Sequence, residues 1–324
     1  MTTQVFVPPS PLQTAVLFLV FNRPETTKQV FEAIRQAKPP RLYVAADGAR
    51  EGKLGEAERV ELVRRIATEV DWPCKVKTLF RDKNLGCKQA VSSGIDWFFD
   101  NEEQGIILED DCLPHPDFFT FCETLLNRYA SDERVWVITG DNFQDGQKRG
   151  DGSYYFSRYN HVWGWASWRR AWTKRDMSIR FWPQWKVSPE WKACVPDKIE
   201  RKYWSNIFDL MYRNKFDTWD YPWTASVWYG NGLTATPHVN LVTNIGFGPD
   251  SSHTTSSDSP LARISTYAIG ELIHPDFITQ NQTADRYVFD HVFGGKNRRL
   301  PWSLLNLPRR MGRFVYRKLK GTFF

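Results

Sequence analysis

The chain has 324 residues and a mass of 37.9 kDa, enough for one large domain or for one domain with an appendage. Hydrophobic residues make up 41% and charged residues 25%, which excludes disordered and fibrous classes. At a mean hydropathy of −0.51, the longest strongly apolar run, Thr14 to Phe21, is far short of a bilayer span. The net charge of +6 is a local feature: nine basic and no acidic residues fall in 296–324, and the rest of the chain carries 34 basic against 37 acidic residues, a balance that argues against a nucleic-acid groove.

The amino end has no basic patch followed by an apolar stretch, and Pro8, Pro9 and Pro11 interrupt it, so no secretory signal is expected. Five cysteines without CxxC spacing fit reduced thiols in a cytosolic protein better than a disulfide scaffold or a zinc ribbon. From residue 14 onward two periodicities alternate. Strands are expected at 14–21, 41–46, 75–80, 104–109 and 134–139. Helices are expected at 24–37, 55–70, 86–99 and 116–129, the first with Pro24 suited to its opening turn. Such alternation implies an α/β fold with a mostly parallel sheet covered by helices on both faces. Four segments are expected: an N-terminal extension (1–13), a ligand-binding half (14–142), a second half of the same domain (143–260) and a C-terminal extension with the basic tail (261–324). The second half loses the regular alternation and holds most of the fifteen tryptophans; 249–260 reads as a loop.

The polar residues fall where the strands stop: Asn22-Arg23-Pro24, Asp47-Gly48, Arg81 to Gly86, Glu109-Asp110-Asp111 and Gly140-Asp141-Asn142. Ligands of open parallel sheets bind beyond the carboxyl ends of the strands. Three adjacent carboxylates directly after a buried strand repel one another and call for a positive partner. Oxygen-only ligands suit Mn²⁺ or Mg²⁺, which bind through one or two carboxylates plus substrate phosphates. Helix capping by Pro114, Pro116 and Asp117 is the competing explanation, and it accounts for one acid rather than three. No P-loop and no GxGxxG follows the first strand, so phosphates would be held by metal and by basic side chains, for which Arg23, Arg81 and Lys88 are placed.

These residues resemble the glycosyltransferases of the GT-A fold, Rossmann-like proteins that bind a nucleotide-sugar and a divalent ion through a short acidic motif. Within that fold, EDDCLPHPDFFTF with the later Val135-Trp136 is most similar to the N-acetylglucosaminyltransferase I group and the protein O-mannose N-acetylglucosaminyltransferases. It is also similar to bacterial haemolysin-like sugar transferases. The resemblance spans about residues 14–255. It implies that Arg23 and Asp47 contact the nucleotide, that Glu109 and Asp110 lie near nucleotide and sugar, and that Asp111 is a direct metal ligand. It further implies that Gly164-Trp165 line the sugar and acceptor region, that Asp220 within Trp219-Asp220-Tyr221-Pro222-Trp223 is the catalytic base, and that His253 is a metal ligand. Thr236-Pro237-His238-Val239 corresponds to a step that is acidic in the family, and the acid is absent here.

The expected activity is inverting, metal-dependent transfer of a sugar, UDP-linked by resemblance, to a sugar hydroxyl of a glycan or lipid-linked acceptor in bacterial surface polysaccharide or glycoconjugate synthesis. A carboxylate opposite the leaving group removes the hydroxyl proton; Asp220 fits among its aromatic neighbours, and Asp217 is its rival. Trp163, Trp165, Trp219 and Trp223 are expected to line the cleft, where flat rings suit sugars. The tail 300–324, with Trp302, Leu304, Leu305, Leu307, Met311, Phe314 and Val315 among basic residues, suits peripheral attachment to an anionic cytoplasmic membrane face. A sugar nucleotidyltransferase and a non-enzymatic carbohydrate- or membrane-binding protein are the alternatives.

Overall fold

The computed structural model describes residues 11–247 and 264–300. Its first half is a regular alternation: β1 (Val16–Val20), α1 (Pro24–Ala37), β2 (Arg41–Ala46), α2 (Glu56–Thr68), β3 (Lys75–Phe80), α3 (Cys87–Asn101) and β4 (Gln104–Glu109). There follow β5 (Cys112–Pro114), α4 (Pro116–Arg128), β6 (Val135–Thr139), β7 (Tyr154–Ser157), β8 (Trp165–Trp168), α5 (Arg169–Trp172), α6 (Trp182–Trp185), α7 (Pro189–Cys194), α8 (Lys198–Tyr212), α9 (Asp220–Tyr229), β9 (Leu233–Pro237), β10 (Val242–Asn244) and α10 (Gln282–His291). Local chemistry sets many of these starts. Pro24 and Pro116 open α1 and α4, where a missing N–H costs nothing. The side chains of Asp197 and Asn281 accept from the first N–H groups of α8 and α10.

Eight strands form one sheet in the order β3-β2-β1-β4-β8-β6-β9-β7, and β5 pairs separately with β10. β1, β2, β3 and β4 run parallel; β8 is antiparallel to both β4 and β6, β9 is parallel to β6, and β7 is antiparallel to β9. The fold is therefore α/β with a mostly parallel, Rossmann-like sheet, and residues beyond 143 add strands to that sheet. Alternate side chains of each strand feed opposite faces. Phe18 and Val44 pack under α1, α2 and α4, while Leu17, Tyr43 and Ile107 pack under α3 and the tryptophan-rich helices. β3 departs from the expectation of cover on both faces. It is the edge strand, with Val76 and Phe80 each 37% exposed and Lys75 and Lys77 between and beside them, charges that discourage edge-to-edge pairing.

The tryptophans are the larger departure. Trp165 and Trp223 are fully buried and Trp219 nearly so. Trp165 stacks on Trp219 at 5.7 Å between ring centroids, and Trp223 lies 4.9 Å from Trp172 and 6.2 Å from Trp136. These three rings hold α9 onto the sheet and are core, which corrects their assignment to the cleft wall. Their areas are consumed by one another, so no face is left for a sugar. We expect Trp223→Ala to cost about 3–5 kcal/mol in denaturant unfolding, the range for truncating a buried large aromatic. The same truncation at half-buried Trp163 should cost clearly less.

Candidate active site at the carboxyl edge of the sheet

Because β1 and β4 are parallel with Leu19 opposite Glu109, both strands end at the same edge. The chain turns at Asp110-Asp111 into β5. Arg23, which precedes α1, reaches across: its guanidinium lies 2.6 Å from Asp111 Oδ2 and 3.4 Å from Asp110 Oδ1. The two carboxylates raise the Arg23 pKa despite the burial that works against its charge. Asp110 is 3% exposed, and its Oδ2 also accepts the Phe21 N–H (3.1 Å). Burial first, opposed by Arg23 and reinforced by Asp111, pushes Asp110 up to about 6. Glu109 is half-buried, and burial and then the Asp111 and Asp110 charges push it up to about 8. The positive partner that the acid run requires is thus present within the chain.

Residues 244–247 strap this pair in place. The Ile245 N–H donates to the Asp111 carbonyl (2.8 Å). A Cβ on Gly246 would sit 2.2 Å from Asp111 Oδ2 and 2.6 Å from an Arg23 nitrogen, so only glycine fits. Phe247 meets the half-buried Trp163 edge-on at 5.8 Å. Continuing the β4–β8 and β6–β8 registers by two residues brings Trp163 level with both Glu109 and Asp141. The Trp163 N–H donates to Asp141 Oδ2 (3.0 Å). Asp141 is 1% exposed, its other oxygen has no partner, and burial raises its pKa far above the carboxylate range. Gly164, at φ 86°, brings its backbone against Val242 and accepts the Gly140 N–H (2.9 Å).

Asp220 is the first residue of α9; the Thr218 hydroxyl donates to its Oδ1, and its charge raises the pKa of Glu109. The rival Asp217 is committed elsewhere: its two oxygens accept the N–H groups of Cys87 (2.8 Å) and Lys88 (2.9 Å), capping α3 from a distance in sequence. Cys87 feels Glu109, Asp217, Asp220 and Arg23, so the start of α3 faces the acid cluster. Asp47 is 9% exposed and accepts the Gly48 and Leu85 N–H groups at 3.0 Å, tying the loops after β2 and β3 together. Burial nevertheless raises its pKa. Arg81 donates to Ser93 Oγ (2.7 Å), and Lys88 Nζ lies 3.3 Å from Asn214 Oδ1.

Two framing groups escaped the sequence reading. Glu56, fully buried at the start of α2, binds Arg50 and accepts from Asn22 (2.8 Å), which lowers its pKa to about 2. Arg64 donates to the Arg81 carbonyl (2.6 Å) and covers Phe80 at 5.0 Å. Asn22 and Arg81, which they meet, lie on other loops, and the Arg50–Glu56 pair carries no sequence signature.

Oxygen donors are what Mn²⁺ and Mg²⁺ take, and the Asp111 carboxylate, 15% exposed, offers one. Among the described residues no group of three or more His, Cys, Asp or Glu side chains is arranged to hold a metal ion. Asp111 is thus one ligand that phosphate and water oxygens would have to complete, and its Oδ2 is paired with Arg23. His253 lies outside the described residues. His238 Nδ1 accepts the Arg149 N–H (3.2 Å) beside Tyr155, away from the acids.

No protein-family model matches this chain, and no curated protein matches it. Several solved structures are similar in fold. HddC from Yersinia pseudotuberculosis is 9% identical, with a TM-score of 0.30 over 49% of this chain and 78% of that one. The 4-diphosphocytidyl-2C-methyl-D-erythritol synthase of Anaerococcus prevotii is 6% identical, with a TM-score of 0.36 over 69% and 88%. The glycosyltransferase GlyE of Streptococcus pneumoniae is 10% identical, with a TM-score of 0.30 over 69% and 45%.

The raised Glu109 has a measurable consequence. Folded, it holds a proton up to about pH 8, whereas an unfolded glutamate releases it near 4.5. Its contribution is therefore complete below pH 4.5 and is lost as pH rises towards 8. Thermal unfolding between pH 5 and 8.5 should show stability falling with pH, and Glu109→Gln should flatten that slope.

Proposed function

We propose that this chain is an inverting, metal-dependent glycosyltransferase that moves a sugar from a nucleotide-diphospho-sugar, UDP-linked, to a sugar hydroxyl of a glycan or lipid-linked acceptor, in bacterial surface polysaccharide or glycoconjugate synthesis. The observation that carries this reading is the convergence of Arg23, Glu109, Asp110 and Asp111 at one sheet edge, with Asp220 in electrostatic reach of Glu109. A lone structural ion pair needs no free carboxylate facing it; a displacement at an anomeric carbon needs a cationic side and a basic side.

The nucleotide lies against the loops that Asp47 joins, with Arg81 and Lys88 on that side and the Arg23 guanidinium towards the diphosphate. Asp111 would hold Mn²⁺ or Mg²⁺, which when bound offsets the charge growing on the departing diphosphate. Glu109, at the end of β4 beside Asp110, would face the sugar of the donor. Trp163, half-buried and held through its N–H by Asp141, supplies the flat face beside the acids. Asp220 takes the acceptor proton: Thr218 holds Oδ1 and leaves Oδ2 for the incoming hydroxyl. Such a base typically contributes about 10²–10⁴-fold.

The test is release of nucleoside diphosphate from a panel of sugar nucleotides, with Mn²⁺ and with chelator. Asp220→Asn should lower kcat by about 10²–10⁴-fold with the donor KM little changed. Asp111→Ala should abolish the metal requirement together with most of the rate. Pyrophosphate exchange in place of diphosphate release would identify a sugar nucleotidyltransferase and remove this reading, and no turnover of any donor would favour a binding protein. Among the described residues no helix is long and apolar enough to cross a membrane. The proposal includes peripheral attachment through the basic tail, of which residues 301–324 lie outside the described residues. The full chain should pellet with anionic vesicles, and deletion of 300–324 should leave it in the supernatant.

A further inference from the structure

A concavity lies at the β7 end of the same sheet. It is a cavity of about 430 Å³, within the range of small-molecule sites, between β7 and the segment leading into α10. Tyr154, at the start of β7, is paired with Pro237, the last residue of β9. β9 is parallel to β6, and β8 runs antiparallel to both β6 and β4. The cavity therefore opens near the edge that carries the acid cluster. β7 is four places from β4 in the sheet order. At strand spacings near 4.8 Å that is roughly 19 Å away.

Its lining is chemically selective. Asp151 is the one charged residue in it, so nothing there favours a phosphate or a nucleotide. Thr279, Gln282 and Thr283 are exposed and, among the described residues, their side chains make no hydrogen bond, leaving hydroxyl and amide groups with free donors and acceptors. Beside them Phe277 is 74% exposed, a large apolar ring held in water at the rim. One open aromatic face with one uncommitted amide and two hydroxyls matches the two surfaces of a sugar, apolar C–H and polar O–H. The outer edge of β7 is closed to a peptide strand, because Phe156 bridges Gln280 and its carbonyl accepts the Asn281 N–H (2.8 Å).

We propose that this cavity is a second carbohydrate site, which binds the neutral part of an extended glycan acceptor through Phe277, Gln282 and Thr283. As an acceptor site it rests on the glycosyltransferase reading; as a sugar site it does not. The test is saturation-transfer NMR of the full chain with maltotriose, cellotriose and triacetylchitotriose, without donor or metal. At least one trisaccharide should bind at millimolar concentration. Phe277→Ala and the pair Gln282→Ala/Thr283→Ala should each weaken it tenfold or more, while Asp111→Ala should leave it unchanged. All three altered side chains are exposed, so loss of folding does not obscure the result, and a circular dichroism melt checks this. No binding of any trisaccharide, binding that survives both variants, or equal binding of an uncharged tetrapeptide overturns the site. Sugar binding through Phe277 with no transfer from any donor supports the site and overturns its acceptor role together with the transferase reading.

Discussion

Three carboxyl groups in succession at the end of a buried strand can be tolerated only if something removes their mutual repulsion. Here two devices share that work. Arg23 places a guanidinium between Asp110 and Asp111. Glu109, which Arg23 reaches only through space, retains its proton instead. The pair constrains its surroundings: the loop after β1 must bring Arg23 across β4, and the chain after β10 must present a glycine so that the ion pair has room. A buried, partnered charge of this kind is a poor source of net stability, because desolvation offsets most of the attraction.

The tryptophan core is the counterpart of that polar edge. α9 begins at Asp220 and carries Trp223 on its buried side, with Trp219 immediately before it. The position of Asp220, within electrostatic reach of Glu109, is consequently set by buried rings. Trp163 is different. It lies at the same level of the sheet, but its N–H is held by Asp141 and its ring contacts Phe143 and Phe247, at the rim and not in the centre. Burial therefore separates the aromatic residues of the core from Trp163 at its rim.

The α/β alternation through residue 139 was legible because period-two and period-3.6 hydrophobic patterns are local properties, and the boundaries of α1, β2 and β3 follow them closely. The acid cluster and Arg23 were legible for a related reason: strand ends in a parallel sheet share an edge whatever the details of packing. Glu56 and Arg64 were invisible, because a single glutamate or arginine in a helix has no signature until its loop partners are placed. That Asp217 caps α3 was likewise invisible until α3 arrived beside it.

The amino-acid order alone settled the fold class and the identity of the acidic run, since hydrophobic periodicity and strand termini depend only on neighbours along the chain. Only the tertiary structure decided which cation meets the acids, which carboxylate caps α3, and which tryptophans are core. Those outcomes turn on contacts between segments tens to more than a hundred residues apart, where burial and electrostatic energy are set by three-dimensional proximity.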